Sequence, residues 1–196
     1  MLKHIVYLHG FNSSPKSTKA QQFVCLLGQS YAHVTVHVPH LSTWPRQAME
    51  QVSDLVEELQ QEQEPGDKIA FVGSSLGGFY ATWLAQQFAA KAVLINPAVW
   101  PHRLLQDALG PQYNYHQPEH EYELTAEHLA QWRTLAVTSI KQPQNLLVLL
   151  QMADETLDYK QAVQYYADSH LDIAQGGSHA YDDFPQRIPQ MMAFLG

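Results

Sequence analysis

A single cysteine, Cys25, stands among 196 residues, so no disulfide can close within the chain. That usage fits a reducing compartment, and a cytoplasmic location is the expectation. Long hydrophobic runs are missing too. The longest aliphatic stretches are about five residues, as at 146–150, against roughly 20 for a membrane-spanning helix. Residues 5–8 are too few to serve as the core of an export signal. Positive charge is scarce: Lys and Arg number 11 against 19 Asp and Glu, a net charge of −8, with no basic cluster. Nucleic acid and anionic membranes are therefore not expected partners. Repeats and low-complexity tracts are absent. The most biased stretch, the Glu- and Gln-rich 57–67, reads as a solvated helix end closed by Pro65-Gly66.

Hydrophobic residues make up 45% of the chain, enough for one packed domain. Short, nearly continuous apolar runs at 4–8, 34–38, 69–72, 92–95, 146–150 and 171–174 read as buried strands. Helical patterns lie between them at 16–29, 45–63, 76–88, 156–167 and 181–194; Val52, Leu55, Val56 and Leu59 recur at helical spacing. The alternation predicts an α/β fold of three layers, with a mostly parallel sheet of about six strands and helices on both faces. One interval, 98–142, exceeds what a crossover helix needs. It reads as a lid-like insertion in the single domain 1–196, or as irregular helices packed on the sheet.

In parallel sheets the chemistry collects just beyond the carboxyl ends of strands. After the third run stands Gly73-Ser74-Ser75-Leu76-Gly77, a G-x-S-x-G pattern between a strand and a helix. Small neighbours let the backbone turn sharply and raise Ser75 above the sheet, with the Leu76 N–H at a helix N-terminus. Ser74 lacks the flanking glycine frame. Among eleven histidines, His179 follows the last strand in Gly176-Gly177-Ser178-His179, whereas His170 precedes it, at the wrong edge. The strand at 146–150 leads to Asp154, with Glu155 and Asp158 as nearby alternatives. The order Ser, Asp, His, each at a different strand end, is the order of an α/β-hydrolase triad. The first strand ends in Leu8-His9-Gly10-Phe11-Asn12. There Gly10 permits a turn that aims the Phe11 N–H at the serine, making Phe11 and Leu76 the expected oxyanion donors. His9 reads as a support of that loop.

Residues 7–14, the elbow at 73–78, Ile95-Asn96-Pro97-Ala98, residues 154–159 and Gly177-Ser178-His179 together span nearly the whole chain. On these segments the sequence resembles the α/β-hydrolase family, specifically the small bacterial esterases of the YqiA/YcfP type. The resemblance implies a reduced α/β-hydrolase core with Ser75, Asp154 and His179 as the triad. It further implies hydrolysis of carboxylic esters, with thioesters as the nearest extension.

Other readings are weaker. Residues 10–17 nearly fit a phosphate-binding loop after a strand, but Pro15 occupies the second glycine position and has no N–H to offer. A non-catalytic binding protein on the same fold is the remaining alternative. His33, His37 and His40 cluster, and His116 and His120 are four apart, but the spacing around His120-Glu121 lacks the second histidine of a helical zinc motif, so neither metal nor cofactor is expected. Cys25 reads as a small buried hydrophobe. Trp100, Tyr115 and Trp132 in the insertion are the candidates for an acyl pocket. Glu119, Glu121, Glu123 and Glu127 should face solvent and disfavour anionic leaving groups. The expected partner is a small-molecule ester or thioester.

Overall fold

A computed structural model describes residues 1–196. Six strands form a wholly parallel sheet: β1 (Leu2–Leu8), β2 (Thr35–His37), β3 (Lys68–Ser74), β4 (Ala92–Ile95), β7 (Leu146–Gln151) and β8 (His170–Ala174). Their spatial order is β2-β1-β3-β4-β7-β8. Every run expected to be a strand is one. The four inner strands are apolar on both sides because both sheet faces are covered, whereas the edge strands β2 and β8, expected to be buried, contain no buried residue because each has a neighbour on one side only. Along β1, Val6 and Leu8 enter one core while Ile5 and Tyr7 enter the other; Leu94 and Val93 divide the same way on β4.

The helices α1 (Thr18–Ser30) and α7 (Phe184–Leu195) cover one face. The opposite face carries α2 (Pro45–Glu62), α3 (Leu76–Gln87), α5 (Ala126–Leu135) and α6 (Tyr159–Tyr165). On α2, Ala48, Met49, Val52, Val56 and Leu59 recur every three or four residues and are buried, with Pro45 pre-set for the first turn. The central helix α3 is buried nearly all round. Two of its polar groups bond to its covers: the Tyr80 hydroxyl accepts from Trp132 Nε1 at 2.8 Å, and Thr82 Oγ1 pairs with the Tyr166 hydroxyl at 2.8 Å. No helix is long and apolar enough to cross a membrane.

Three expectations need correction. The insertion contains a short helix, α4 (Pro101–Leu104), and an antiparallel hairpin of β5 (Gly110–Asn114) and β6 (Gln117–Leu124) ahead of α5. The hairpin escaped notice because Gly-Pro-Gln-Tyr-Asn and the glutamate-rich β6 lack apolar alternation. Helix α6 begins later than expected, since Asp154 Oδ1 accepts the N–H groups of Thr156 and Leu157 and turns the chain first. Cys25 is exposed rather than buried: Ala20, Phe23 and Leu27 define the inner face of α1 and place Cys25 outside it.

The order reverses between β1 and β3, since α1 leaves β1 towards one face and α2 returns on the other. Loops after these neighbouring strands diverge and leave a crevice at their carboxyl ends.

Candidate active site

Ser75 stands at that crevice, between β3 and α3. Its φ of 57° and ψ of −121° lie outside the usual regions for a residue with a side chain. Main-chain bonds hold it there: its N–H donates to Ile95 O at 3.0 Å, and its carbonyl accepts from Gly78 N at 2.9 Å and Ala98 N at 3.0 Å. The glycines of the motif are required by close approach. A Cβ on Gly73 would lie 2.1 Å from Gly77 O, and one on Gly77 would lie 2.0 Å from Leu8 O. The elbow is thus pressed against both its own turn and the end of β1. Gly10 packs over the serine, its ideal Cβ position being 3.3 Å from Ser75 Cβ.

His179 Nε2 lies 3.1 Å from Ser75 Oγ, and His179 Nδ1 lies 2.8 Å from Asp154 Oδ2. The Asp154 side chain is only 2% exposed. Burial alone would raise its pKa, but hydrogen bonds from His179, Leu157 and Thr156 outweigh it and hold the carboxyl below its ordinary value. An ionised Asp154 therefore accepts from Nδ1–H, which leaves Nε2 as the acceptor for the serine hydroxyl. The alternatives do other work. Glu155 Oε2 accepts the His179 main-chain N–H at 2.9 Å, and Asp158 caps α6 through the Lys160 N–H.

Leu76 is the first residue of α3, where an N–H has no partner within the helix. Phe11 lies in the turn after β1, and its N–H makes no backbone hydrogen bond. Below that turn, His9 is buried, with Nδ1–H donating to Gly10 O and Nε2 accepting the Leu41 N–H. Burial pulls its pKa down to about 4, so it is neutral at pH 7. The segment 10–17 is no phosphate cradle: the Ser13 and Ser17 N–H groups donate to Gly10 and Ser14 carbonyls, and Lys16 N donates to Ser14 Oγ.

A set of supports escaped the sequence reading. Asn96 Nδ2 donates to Ser178 O at 3.0 Å, and its Oδ1 accepts the Gln151 N–H at 3.0 Å. Gln151 Oε1 accepts from Ser178 N and Asp182 N, and its Nε2 donates to Asp182 O. Lys19 Nζ donates to Ala180 O at 2.8 Å. Burial lowers the Lys19 pKa to about 8 against the opposing pull of Asp154. The only hint in the sequence was the polar Gln151 at the end of an otherwise aliphatic strand.

The candidate pocket residues separate. Tyr115, at the hairpin tip, donates its N–H to Asn12 O at 2.8 Å and lines a cleft of about 710 Å³ that includes Ser75 and His179. Trp132 is buried and forms, with Phe11, Leu76, Tyr80 and Tyr122, the wall of a smaller hollow of about 90 Å³ on the other side of the 9–13 turn. Trp100 lies apart from both, between Arg103 and Tyr165 beside α6. The insertion therefore reaches the serine through its hairpin and α5, not through α4. The four glutamates at 119, 121, 123 and 127 are exposed, and none lines the cleft.

The parallel order, the strand–elbow–helix at Ser75 and the three loops meeting at one crevice define an α/β-hydrolase fold. Residues 4–196 match the family described as Uncharacterised protein family (UPF0227), and the chain belongs to that family. A UPF0227 protein of Yersinia enterocolitica is 27% identical over 198 residues, covering 97% of each chain. Alpha/beta hydrolase domain-containing protein 10 from mouse superposes with a TM-score of 0.73 at 15% identity, covering 98% of this chain and 90% of that one. Est1E from Butyrivibrio proteoclasticus, solved with ferulic acid bound, gives 0.71 at 12% identity over 97% and 90%. At these identities the two structures speak for the fold alone.

Proposed function

We propose that the protein is a cofactor-independent serine hydrolase acting on carboxylic esters of short acyl groups, thioesters being open to the same attack. The observation that carries this reading is the hydrogen-bonded run Asp154–His179–Ser75, with Ser75 held at positive φ on the elbow. Ser75 Oγ attacks the acyl carbonyl while His179 Nε2 takes its proton. Asp154 fixes the tautomer and stabilises the imidazolium. The developing oxyanion is received by the N–H groups of Phe11 and Leu76, each worth about 3 kcal/mol in such a role. Collapse of the tetrahedral adduct breaks the bond to the leaving group, which departs with the proton from His179. Water, deprotonated by the same imidazole, then cleaves the acyl-enzyme and regenerates Ser75.

The acyl group is assigned to the hollow beside the two amides. A cavity of about 150 Å³ takes one benzene, so 90 Å³ holds on the order of four heavy atoms. That size supports short acyl chains, the lower end of the expected range, packed among the rings of Phe11, Tyr80, Tyr122 and Trp132. The test is labelling with a fluorophosphonate, followed by a p-nitrophenyl ester series of graded acyl length. Ser75 should be the labelled residue, and Ser75→Ala should lose both label and turnover. Undiminished labelling of folded Ser75→Ala would remove the reading.

A further inference from the structure

The cleft that contains Ser75 and the aromatic hollow beside Phe11 and Leu76 differ in chemistry, and the position of His179 tells which half of a substrate each receives. This argument rests on the proposed role of Ser75. A departing alcohol collects its proton from His179 Nε2, so it must lie on the side that contains that ring. His179 lines the 710 Å³ cleft and not the aromatic hollow. The cleft therefore holds the alcohol, and it is larger than a simple alkyl alcohol needs.

Its walls are hydroxyl- and amide-rich. Ser13, Ser17, Thr18, Gln22 and Thr156 line it, and none of these side chains bonds another side chain of the protein. Tyr115 adds an aromatic face that is 60% exposed. On its floor, the Tyr7 hydroxyl is buried without a partner, and burial raises its pKa, so the phenol stays neutral. A buried polar atom left unsatisfied marks a place where a further polar group completes the bonding. Charge is balanced rather than positive. Lys19 is the only Lys or Arg on the wall; its ammonium is already committed to the Ala180 carbonyl, and the Asp183 carboxylate lines the same cleft. A net charge of −8 adds no attraction for anions.

We infer that the alcohol half of the substrate is a neutral polyhydroxylated one, a sugar or polyol, seated between the start of α1 and the Tyr115 face. Many weakly placed hydroxyls and one exposed ring suit such a group: the hydroxyls exchange hydrogen bonds with its hydroxyls, and the ring covers its C–H face.

Three butyrate esters of similar size decide it: a monobutyrate of methyl glucoside, cyclohexylmethyl butyrate and a butyrate of glycerol 3-phosphate. The glucoside ester should exceed the other two by about tenfold in kcat/KM, the worth of one or two hydrogen bonds. In Gln22→Leu and in Tyr115→Ala, each checked for folding by circular dichroism, the ratio of glucoside to cyclohexylmethyl ester should fall several-fold. A glucoside preference that is absent, or that neither variant changes, overturns the inference while leaving the esterase reading intact. A faster phosphate ester overturns it in favour of an anion held by Lys19. If Ser75 takes no fluorophosphonate label and no ester is cleaved, the esterase reading fails and this inference fails with it.

Discussion

Ser75 and His179 are held by opposite means. The elbow is fixed by main chain against main chain: three backbone hydrogen bonds at Ser75, and glycines at 73 and 77 that let carbonyls approach where a Cβ would stand. The His179 loop is fixed by side chains reaching in from elsewhere, with Asn96 beyond β4, Gln151 at the end of β7, Glu155 in the following turn and Lys19 on α1. A backbone frame admits no substituent, and its failure is a failure of folding. A side-chain frame can lose one member and still fold, and its failure appears as misorientation of the imidazole.

Substitutions that separate these failures range widely in size. The largest effect belongs to the link between the regions: Asp154→Asn should lower kcat by about 10⁴ with KM little changed, through loss of the correct tautomer. Steady-state kinetics on a folded variant checks this, and a loss under tenfold would mean another group orients His179. Next, Gly77→Ala should destabilise the fold by about 3 kcal/mol or more, because the added methyl meets the Leu8 carbonyl, which cannot move without shifting β1. Urea unfolding measures it; a shift under about 1 kcal/mol would show that the elbow yields. Gln151→Met keeps the volume but removes three hydrogen bonds to the loop. It should reduce kcat by about 10- to 100-fold through displacement of His179 by a fraction of an ångström, with fluorophosphonate labelling slowed in parallel. Unfolding of Gln151→Met without a kinetic defect in the remaining native protein would place Gln151 among structural supports only.

The smallest effect tests the elbow side by pH. His9 is buried and neutral, with a folded pKa near 4 against about 6.5 for an unfolded histidine. Above pH 6.5 neither state binds the proton; as pH falls from there towards 4, the unfolded state binds it first, so stability is lost over that window. His37, His102 and His128, also lowered chiefly by burial, add in the same direction. Thermal unfolding should show a loss of about 2 kcal/mol between pH 7 and pH 5 from His9. His9→Gln should flatten that slope, and an unchanged slope would assign it to the other three.

The sequence singled out Ser75 and His179, which the fold brings to 3.1 Å, for reasons tied to the same contrast. The glycines that frame Ser75 are its chain neighbours, so the constraint is written beside the residue it serves. His179 and Asp154 were singled out by position after a strand. The choice of Asp154 over Glu155 and Asp158 rests on which carboxylate comes first, and the geometry gives each acid a different hydrogen-bonding task. Asn96 and Gln151 were not selected as supports, because a polar residue at a strand end carries no mark of the loop it will bind 80 or 30 residues later. Trp100, Tyr115 and Trp132 looked alike as aromatics in one insertion, yet one faces the cleft, one is buried behind the smaller hollow, and one lies beside α6.

Local composition determined the six strands, five of the helices (α1, α2, α3, α6 and α7, but not α5) and the sharp turn at Ser75, because apolar continuity, helical spacing and glycine placement act within a few residues. Tertiary structure decided the rest. The hairpin β5–β6 exists through its register and through Asn12, whose side chain donates to Gln112 and accepts from the Tyr122 hydroxyl across 100 and 110 residues. The division of the crevice into an aromatic hollow and a hydroxyl-lined cleft depends on where the 9–13 turn comes to rest between them. Such contacts join residues far apart in the chain, and their energy is realised only once the sheet has brought the strand ends together.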